Sequence, residues 1–260
     1  MGQLDTIQLI LVGLVFIWSG FVRSGLGFGG TVLALPFLLL IHNDPLLFMP
    51  LMAIQLLIFS SWMAITNYRK LNRHSSTGEK VSTVDWRYLK YAMAIMIVPK
   101  IVGVFGLLTM PPKIMTTIIF VVVFVYAVGY VLNRPFQSNN KYLDCVFLIL
   151  GGYVSGTSLI GAPLIVAVFA SHVSKEKLRD TLFVLWFILV LIKVLGLGLA
   201  GIDFNWSEHL WLLPLVTIGH FLGLQFHKKI VDASTPIFYR MVGSVLLLIS
   251  ILGLYKAWFA

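Results

Sequence analysis

Long apolar stretches separated by short polar ones dominate the pattern along this chain. A bilayer core is about 30 Å thick and takes about 20 apolar residues per helical crossing. Six uninterrupted apolar stretches come close to that length. They predict transmembrane helices over residues 46–65, 86–108, 114–132, 178–200, 209–226 and 236–259. The pattern therefore predicts an all-α membrane protein.

Two further apolar segments, residues 4–41 and 142–171, are interrupted by glycine-rich turns. The turns read SGLGFGG from Ser24 and SGTSLIGAP from Ser155. A single helix over the first segment would be about 57 Å long, far more than a bilayer needs. Its second arm is too short for a full crossing, and the second segment divides into two arms of about a dozen residues. We expect each segment to be a re-entrant hairpin that enters and leaves on the same side.

The order of segments repeats along the chain. Residues 1–140 and residues 141–260 each comprise one interrupted segment followed by three plain helices. With two re-entrant hairpins, twelve Lys and Arg residues fall on the cytoplasmic side and two, Lys113 and Lys256, fall outside. With two full crossings the division would be eight to six, so the positive-inside rule favours hairpins. The halves then have opposite orientation, an inverted repeat typical of secondary transporters, and both termini are predicted to be periplasmic.

Composition agrees with this membrane interpretation. Hydrophobic residues make up 59% of the chain and charged residues 11%, against roughly 45–50% and about 25% in soluble domains. The net charge of +9 lies mainly between apolar stretches, so it indicates topology and not nucleic-acid binding. The GxGxxG pattern at residues 25–30 lacks the soluble βαβ unit that a dinucleotide site requires. We expect no cofactor and no metal.

The two glycine turns are the first candidate site. Non-helical backbone at membrane depth is tolerated where it is buried in protein or lines a polar cavity. A helix that starts at such a break offers free N–H groups and a partial positive charge, which suits an anion. The candidate donors are Ser24, Gly25, Gly27, Gly29, Gly30, Thr31, Ser155, Gly156, Thr157, Ser158 and Gly161. The alternative is that these small residues only allow close helix packing.

Basic residues inside apolar segments are the second candidate. Arg23 borders the first turn, while Lys100 and Lys193 lie within predicted helices. A buried cation costs roughly 2.5–3.5 kcal/mol on insertion scales and usually faces a cavity. Every Asp and Glu lies in a loop or near a helix end, so the excess of buried positive charge predicts an anionic substrate. We expect Lys100→Met to weaken anion binding; the alternative is a structural contact with backbone carbonyls.

Two polar residues within the predicted helices extend the candidate site. They are Gln55 and His220, and either one is equally compatible with a hydrogen bond between helices.

The glycine motifs resemble a known family. GFVRSGLGFGGTVLALP at residues 20–36 and GGYVSGTSLIGAPLIV at residues 151–166 are similar to the two signatures of the TauE/SafE sulfite-exporter family. The resemblance covers essentially the whole chain. It implies export of small sulfur-containing anions, such as sulfite or sulfoacetate, across a bacterial inner membrane. It also implies that the protein is a homodimer. Its other expected partners are the lipid bilayer and the small anion that it transports.

Other functions are open at this point. A permease or channel for another small anion has the same sequence features. A serine hydrolase within the membrane, using Ser155 and His220, is a remote alternative because no third orienting group is evident. We do not expect this protein to be an enzyme.

Overall fold

A computed structural model describes residues 4–26, 30–74, 82–134, 136–138, 140–230 and 236–259. Within these ranges the chain forms ten α-helices and no strand. They are α1 (Thr6–Leu26), α2 (Gly30–Ile41), α3 (Pro45–His74), α4 (Trp86–Thr109), α5 (Pro112–Val131), α6 (Lys141–Ser158), α7 (Ala162–His172), α8 (Lys175–Leu199), α9 (Trp206–Ile230) and α10 (Pro236–Phe259). The predicted all-α class is confirmed.

Seven of these helices are long and apolar enough to cross a bilayer: α1, α3, α4, α5, α8, α9 and α10. Six of them match the six plain stretches predicted from the sequence. The helix α3 continues to His74, nine residues past the predicted end at residue 65. Hydropathy identifies the part of a helix that suits lipid, whereas the helix itself continues into polar sequence until its backbone pattern changes.

The first interrupted segment folds back on itself. Its arms, α1 and α2, are separate helices of 21 and 12 residues. The Gln8 side chain near the start of α1 donates to the carbonyl of Ile41 at the end of α2, at 3.3 Å. Ser19 donates to the carbonyl of Gly30 at 3.4 Å. The arms therefore run antiparallel, and the segment returns to the face from which it starts.

The second interrupted segment folds in the same way. His172 at the end of α7 pairs with Asp144 near the start of α6 at 2.8 Å. The turn between these helices places Leu159 in the left-handed region, at a φ of 60°. The arms contain 18 and 11 residues, so the expected arm of about a dozen is wrong for α6. Its helix begins in the polar sequence at Lys141 and continues through Ser158, inside the glycine-rich motif.

The main packing partners fall into four pairs. Helix α1 packs on α9, α4 on α6, α5 on α10, and α3 on α8. In chain order, helices α1 to α5 of the first half correspond to α6 to α10 of the second half. Exchanging the halves turns the α1–α9 pair into the α6–α4 pair and maps the α5–α10 and α3–α8 pairs onto themselves. This relation is what an inverted repeat would produce. The repeat and its boundary at residue 140 remain predictions.

The contact between α4 and α6 depends on two facing glycines. A Cβ at Gly103 would lie 2.9 Å from the Cα of Gly156 and would collide with the carbonyl oxygen of Tyr153. A Cβ at Gly156 would collide with the carbonyl oxygen of Lys100. The two backbones approach this closely only because both positions lack a side chain. The packing alternative for Gly156 is therefore realised in the structure.

Candidate functional site

A small cavity of about 30 Å³ lies where the two hairpins turn. Both broken segments and the paired helices α3 and α8 contribute to its wall. From the first half come Arg23, Gly30, Thr31, Val32, Leu56 and Ser60. From the second half come Leu159, Ala162, Phe183 and Trp186. The first residues of α2 and of α7 therefore meet at one space.

Arg23 is the cation of this cavity. Its side chain is only 5% exposed, and its Nη1 donates to the backbone carbonyl of Gln55 at 3.2 Å. The guanidinium also lies over the ring of Phe59, 4.8 Å from the centroid. Its Nε is buried and has no hydrogen-bond partner among the residues that the structure describes. A guanidinium has five N–H donors and no acceptor, so a group able to accept hydrogen bonds suits this side chain.

Other unused polar groups lie near Arg23. The Ser60 hydroxyl lines the cavity and the side-chain nitrogen of Gln55 is buried nearby, and neither has a partner within the described ranges. The first amides of α2, beginning at Gly30, lack acceptors within their own helix, as at every helix N-terminus. A buried polar group without a partner costs about 1–3 kcal/mol. The concentration of donors around one space favours a ligand that accepts hydrogen bonds.

The charge of the cavity is positive. Its lining, as far as the structure describes it, contains one arginine and no Asp or Glu. The N-terminus of α2 adds the equivalent of about half a positive charge. Phe183 and Trp186 form an apolar wall in which the dielectric constant is low, so these charges act more strongly than in water. The arrangement is suited to a small anion.

Gly30 brings α2 close to Arg23. A Cβ at this position would lie 2.8 Å from the carbonyl oxygen of Ser19 and 3.0 Å from the Cβ of Arg23. The absence of a side chain therefore allows the start of α2 to lie directly against α1. This close approach places backbone amides and the guanidinium at the same cavity.

Lys100 and Lys193 lie elsewhere. Both are fully buried, and both ammonium groups bind the C-terminal end of α6. Lys100 donates to the carbonyl and hydroxyl of Ser155 at 2.8 and 2.9 Å. Lys193 donates to the carbonyls of Gly156 and Thr157 at 2.8 and 3.1 Å. Neither side chain lines the cavity, and these contacts match the alternative of a structural bond to backbone carbonyls.

The extent of α6 explains why residues 155–158 do not offer free amides as expected. Residues 155–158 form the last turn of a helix, so their free backbone groups are carbonyls and not amides. Such a terminus carries about half a negative charge, which two ammonium groups stabilise. Ser158 donates to the carbonyl of Val154 within the same helix. Gly161 caps the start of α7, directly before Ala162 of the cavity wall.

The remaining predicted residues lie around the first turn. Ser24 and Gly25 belong to the end of α1, and the Ser24 hydroxyl binds Nδ1 of His220 at 2.5 Å. Gly30 and Thr31 begin α2 and line the cavity. Gly27 and Gly29 lie outside the described residues.

The hydrolase alternative loses its geometric basis. Ser155 binds Lys100, whereas His220 binds the serine of the other hairpin, Ser24. The predicted dyad of Ser155 and His220 is therefore not formed. The hydrogen bond of His220 joins α1 to α9, as in the interpretation of a bond between helices.

Sequence reasoning missed seven of the lining residues: Val32, Leu56, Ser60, Leu159, Ala162, Phe183 and Trp186. Ser60, Phe183 and Trp186 lie within uninterrupted apolar stretches, where no pattern distinguishes a cavity wall from a lipid face. Leu159 adopts a left-handed conformation that usually favours glycine, so a search for glycines did not find it. Only the position of Leu159 between two small polar residues and Gly161 marked it as part of a turn.

The fold and the cavity define a multi-pass helical membrane protein with a small, positively charged space between its two hairpin turns. Residues 11–253 match the model of the sulfite exporter TauE/SafE family. The chain belongs to this family, and membrane transport of sulfur-containing anions is the activity that the family implies. No curated protein and no solved structure matches the chain.

Proposed function

We propose that this protein is a secondary transporter that exports sulfite, or a small organosulfonate such as sulfoacetate, across the bacterial inner membrane. The observation that supports it most is the buried guanidinium of Arg23, whose Nε has no partner in the described part of the chain. An oxyanion offers several acceptor oxygens to such a fork of donors. Arg23, the first amides of α2, Thr31 and Ser60 are the proposed binding groups.

The size of the cavity favours a carrier over an open channel. A volume of about 30 Å³ holds one or two water molecules. Even sulfite, with one sulfur and three oxygen atoms, needs more space, so the walls must separate when it binds. The hairpin ends at α2 and α7 are the elements placed to separate. The described conformation is then a closed one, between states open to each side.

Export needs no further energy source in this account. A singly charged anion that leaves a cell with a negative interior gains about 2.3 kcal/mol per 100 mV. Because the described lining of the cavity holds one arginine and no carboxylate, a bound monoanion such as hydrogensulfite balances its charge, whereas the dianion sulfoacetate brings a second negative charge toward the N-terminus of α2. The direction of transport then follows from the membrane potential.

Counterflow in proteoliposomes tests the proposal. Vesicles loaded with unlabelled sulfite and containing the purified protein should accumulate labelled sulfite from outside, and unlabelled sulfite outside should saturate the flux. An imposed potential, negative inside, should accelerate efflux. Flux that never saturates would indicate a pore, and no flux with sulfite or any organosulfonate would contradict the proposed substrate class.

The family resemblance implies two finer properties, a homodimer and a location in the inner membrane. The distribution of Lys and Arg adds a third expectation, both termini in the periplasm. The mass of the detergent-solubilised protein, measured by light scattering with the detergent subtracted, tests the dimer. A single-copy mass at all concentrations would contradict it.

A further inference from the structure

A second arginine lies beside the first glycine turn, on α8. Arg179 is half-buried in the second turn of that helix, four residues after Lys175. Its Nη2 donates to the backbone carbonyl of Ser24 at 3.4 Å. Its guanidinium also lies over the ring of Phe183, 5.7 Å from the centroid. Arg179 therefore contacts the residue next to Arg23 in the chain and a residue of the cavity wall.

Phe183 connects Arg179 to the cavity of Arg23. It is 1% exposed, lines the cavity and carries the Arg179 guanidinium over its ring. Arg179 is partly accessible, whereas Arg23 is 5% exposed and belongs to the closed cavity. Accessibility thus falls from the half-buried Arg179 to the two buried residues, Phe183 and Arg23. The contacts of Phe183 with Arg179 and with the cavity describe a route from one face of the protein to the cavity through one aromatic ring.

We propose that Arg179 is an outer anion-binding residue and that the Phe183 ring is the barrier between it and the cavity. The inference rests on the proposed function, because the ligand is the same small oxyanion. An anion binds first to the Arg179 guanidinium, the ring of Phe183 moves aside, and the anion transfers to Arg23. By the positive-inside rule this entrance faces the cytoplasm, the side from which an exporter takes its substrate.

The neighbouring charges fit an entrance. Lys175 and Lys177 are exposed on the first turn of the same helix, where they alternate with Glu176, and Asp180 follows Arg179, so residues 175–180 carry a net charge of +1 (three cations and two carboxylates). Net positive charge raises the local concentration of anions and accelerates association, with an effect that weakens as salt increases. Arg179 differs from these lysines because it alone contacts the cavity wall. Lys177→Gln is therefore a matched control that removes one charge but not the contact with Phe183.

Association kinetics tests the inference. Trp186 lines the cavity, so its fluorescence is a suitable signal for anion binding to the purified protein in stopped-flow experiments. With sulfoacetate as the probe, Arg179→Gln should slow association about tenfold and leave the dissociation constant within about threefold. Arg179→Lys should stay within about threefold of wild type in both. Lys177→Gln should change association by less than about twofold.

The barrier has its own test. Phe183→Ala should accelerate both association and dissociation, since the closing ring is removed from the route while Arg23 is retained. Wild-type rates in Arg179→Gln or in Phe183→Ala would overturn the inference, and so would a Lys177→Gln variant as slow as Arg179→Gln. If Arg179→Gln fails to fold, Arg179→Lys replaces it in the test. Arg179→Lys should associate with sulfoacetate nearly as fast as wild type, and a tenfold slower association would contradict the route.

These outcomes are distinguishable from a failure of the proposed function. If wild-type protein binds none of sulfite, sulfoacetate and methanesulfonate, the proposed function fails. If wild type binds, Arg23→Gln does not, and the Arg179 and Phe183 variants have wild-type kinetics, then the central site stands and the route is wrong.

Discussion

The three buried cations have different surroundings, and this difference separates a structural role from a binding role. Lys100 and Lys193 each donate two hydrogen bonds to the end of α6. Hydrogen bonds to charged groups contribute about 1.5–3 kcal/mol each, enough to offset an insertion cost of roughly 2.5–3.5 kcal/mol. Arg23 makes one such bond and has an unused buried donor within the described ranges.

The lysines are therefore predicted to contribute little to anion affinity. Lys100→Met removes a charge that is already bound to Ser155 and keeps a side chain of similar length. The substitution leaves the carbonyl and hydroxyl of Ser155 without this donor, so it should lower stability, at about 1–3 kcal/mol for a buried group left unpaired, without changing the cavity lining. We expect the dissociation constant for sulfoacetate, measured by calorimetry, to stay within about twofold of wild type. A loss of tenfold or more would restore Lys100 to the site, as the sequence alone predicted.

The sequence identified these cations but not their partners. That Arg23, Lys100 and Lys193 are buried follows from their position in apolar sequence. The backbone groups near a buried cation are free amides where a helix begins and free carbonyls where a helix ends. The glycine-rich motif did not show that α6 continues through Ser158. For the same reason residues 155–158 were expected to donate, although they lie at a C-terminus. Gly30 and Thr31, among the expected donors, do begin a helix, and their binding of an anion stays a prediction.

At the scale of elements, the short distance between α4 and α6 positions Lys100. Gly103 and Gly156 face each other, and the ammonium of Lys100, one turn before Gly103, reaches Ser155 across this contact. Overpacking of a well-fitted contact typically costs 1–3 kcal/mol. The contact between these helices is therefore sensitive to a single added methyl group.

We predict that Gly103→Ala lowers the thermal unfolding temperature of the purified protein. Its new Cβ would lie 2.9 Å from Gly156 and would meet the backbone of Tyr153. Gly106→Ala is the matched control, because there the nearest atom is the flexible end of Met110 at 3.4 Å. That control should be neutral or slightly stabilising, since alanine favours a helix by up to about 1 kcal/mol over glycine. Equal effects of the two substitutions would contradict the packing account.

The elements themselves were largely predictable. Six plain spans and two interrupted segments follow from hydropathy, because a bilayer demands long apolar helices. The fold back of residues 4–41 also followed from the unequal arms. The lengths of α3 and α6 did not, since both helices extend into polar or glycine-rich sequence that hydropathy excludes.

At the scale of the whole molecule, the paired helices and the two hairpins fit the predicted plan of a transporter with inverted halves, which stays a prediction. The contact of α1 with α9 has its counterpart in the contact of α6 with α4, and this correspondence supports the plan. The plan has a topological consequence. Residues near Ile41 and the end of α10 lie at one face, as the bond from Lys256 to the carbonyl of Leu40 shows, and this face is predicted to be periplasmic.

We predict that a reporter fused after residue 260 is active only in the periplasm. Alkaline phosphatase at this position should be active and green fluorescent protein dark, with the reverse result for fusions in the basic loop after His74. A fluorescent C-terminal fusion would place Arg179 and the proposed entrance on the outside. Such a result would contradict export by the proposed route.

The binding of an anion by Arg23 is the central claim, and equilibrium titration of purified variants tests it most directly. Arg23→Gln should weaken sulfoacetate binding by about 10- to 100-fold, the equivalent of one charge-assisted hydrogen bond. Arg240→Gln, which changes an exposed arginine of α10, should bind as wild type does. Equal affinity in wild type and in a folded Arg23→Gln variant would contradict the account.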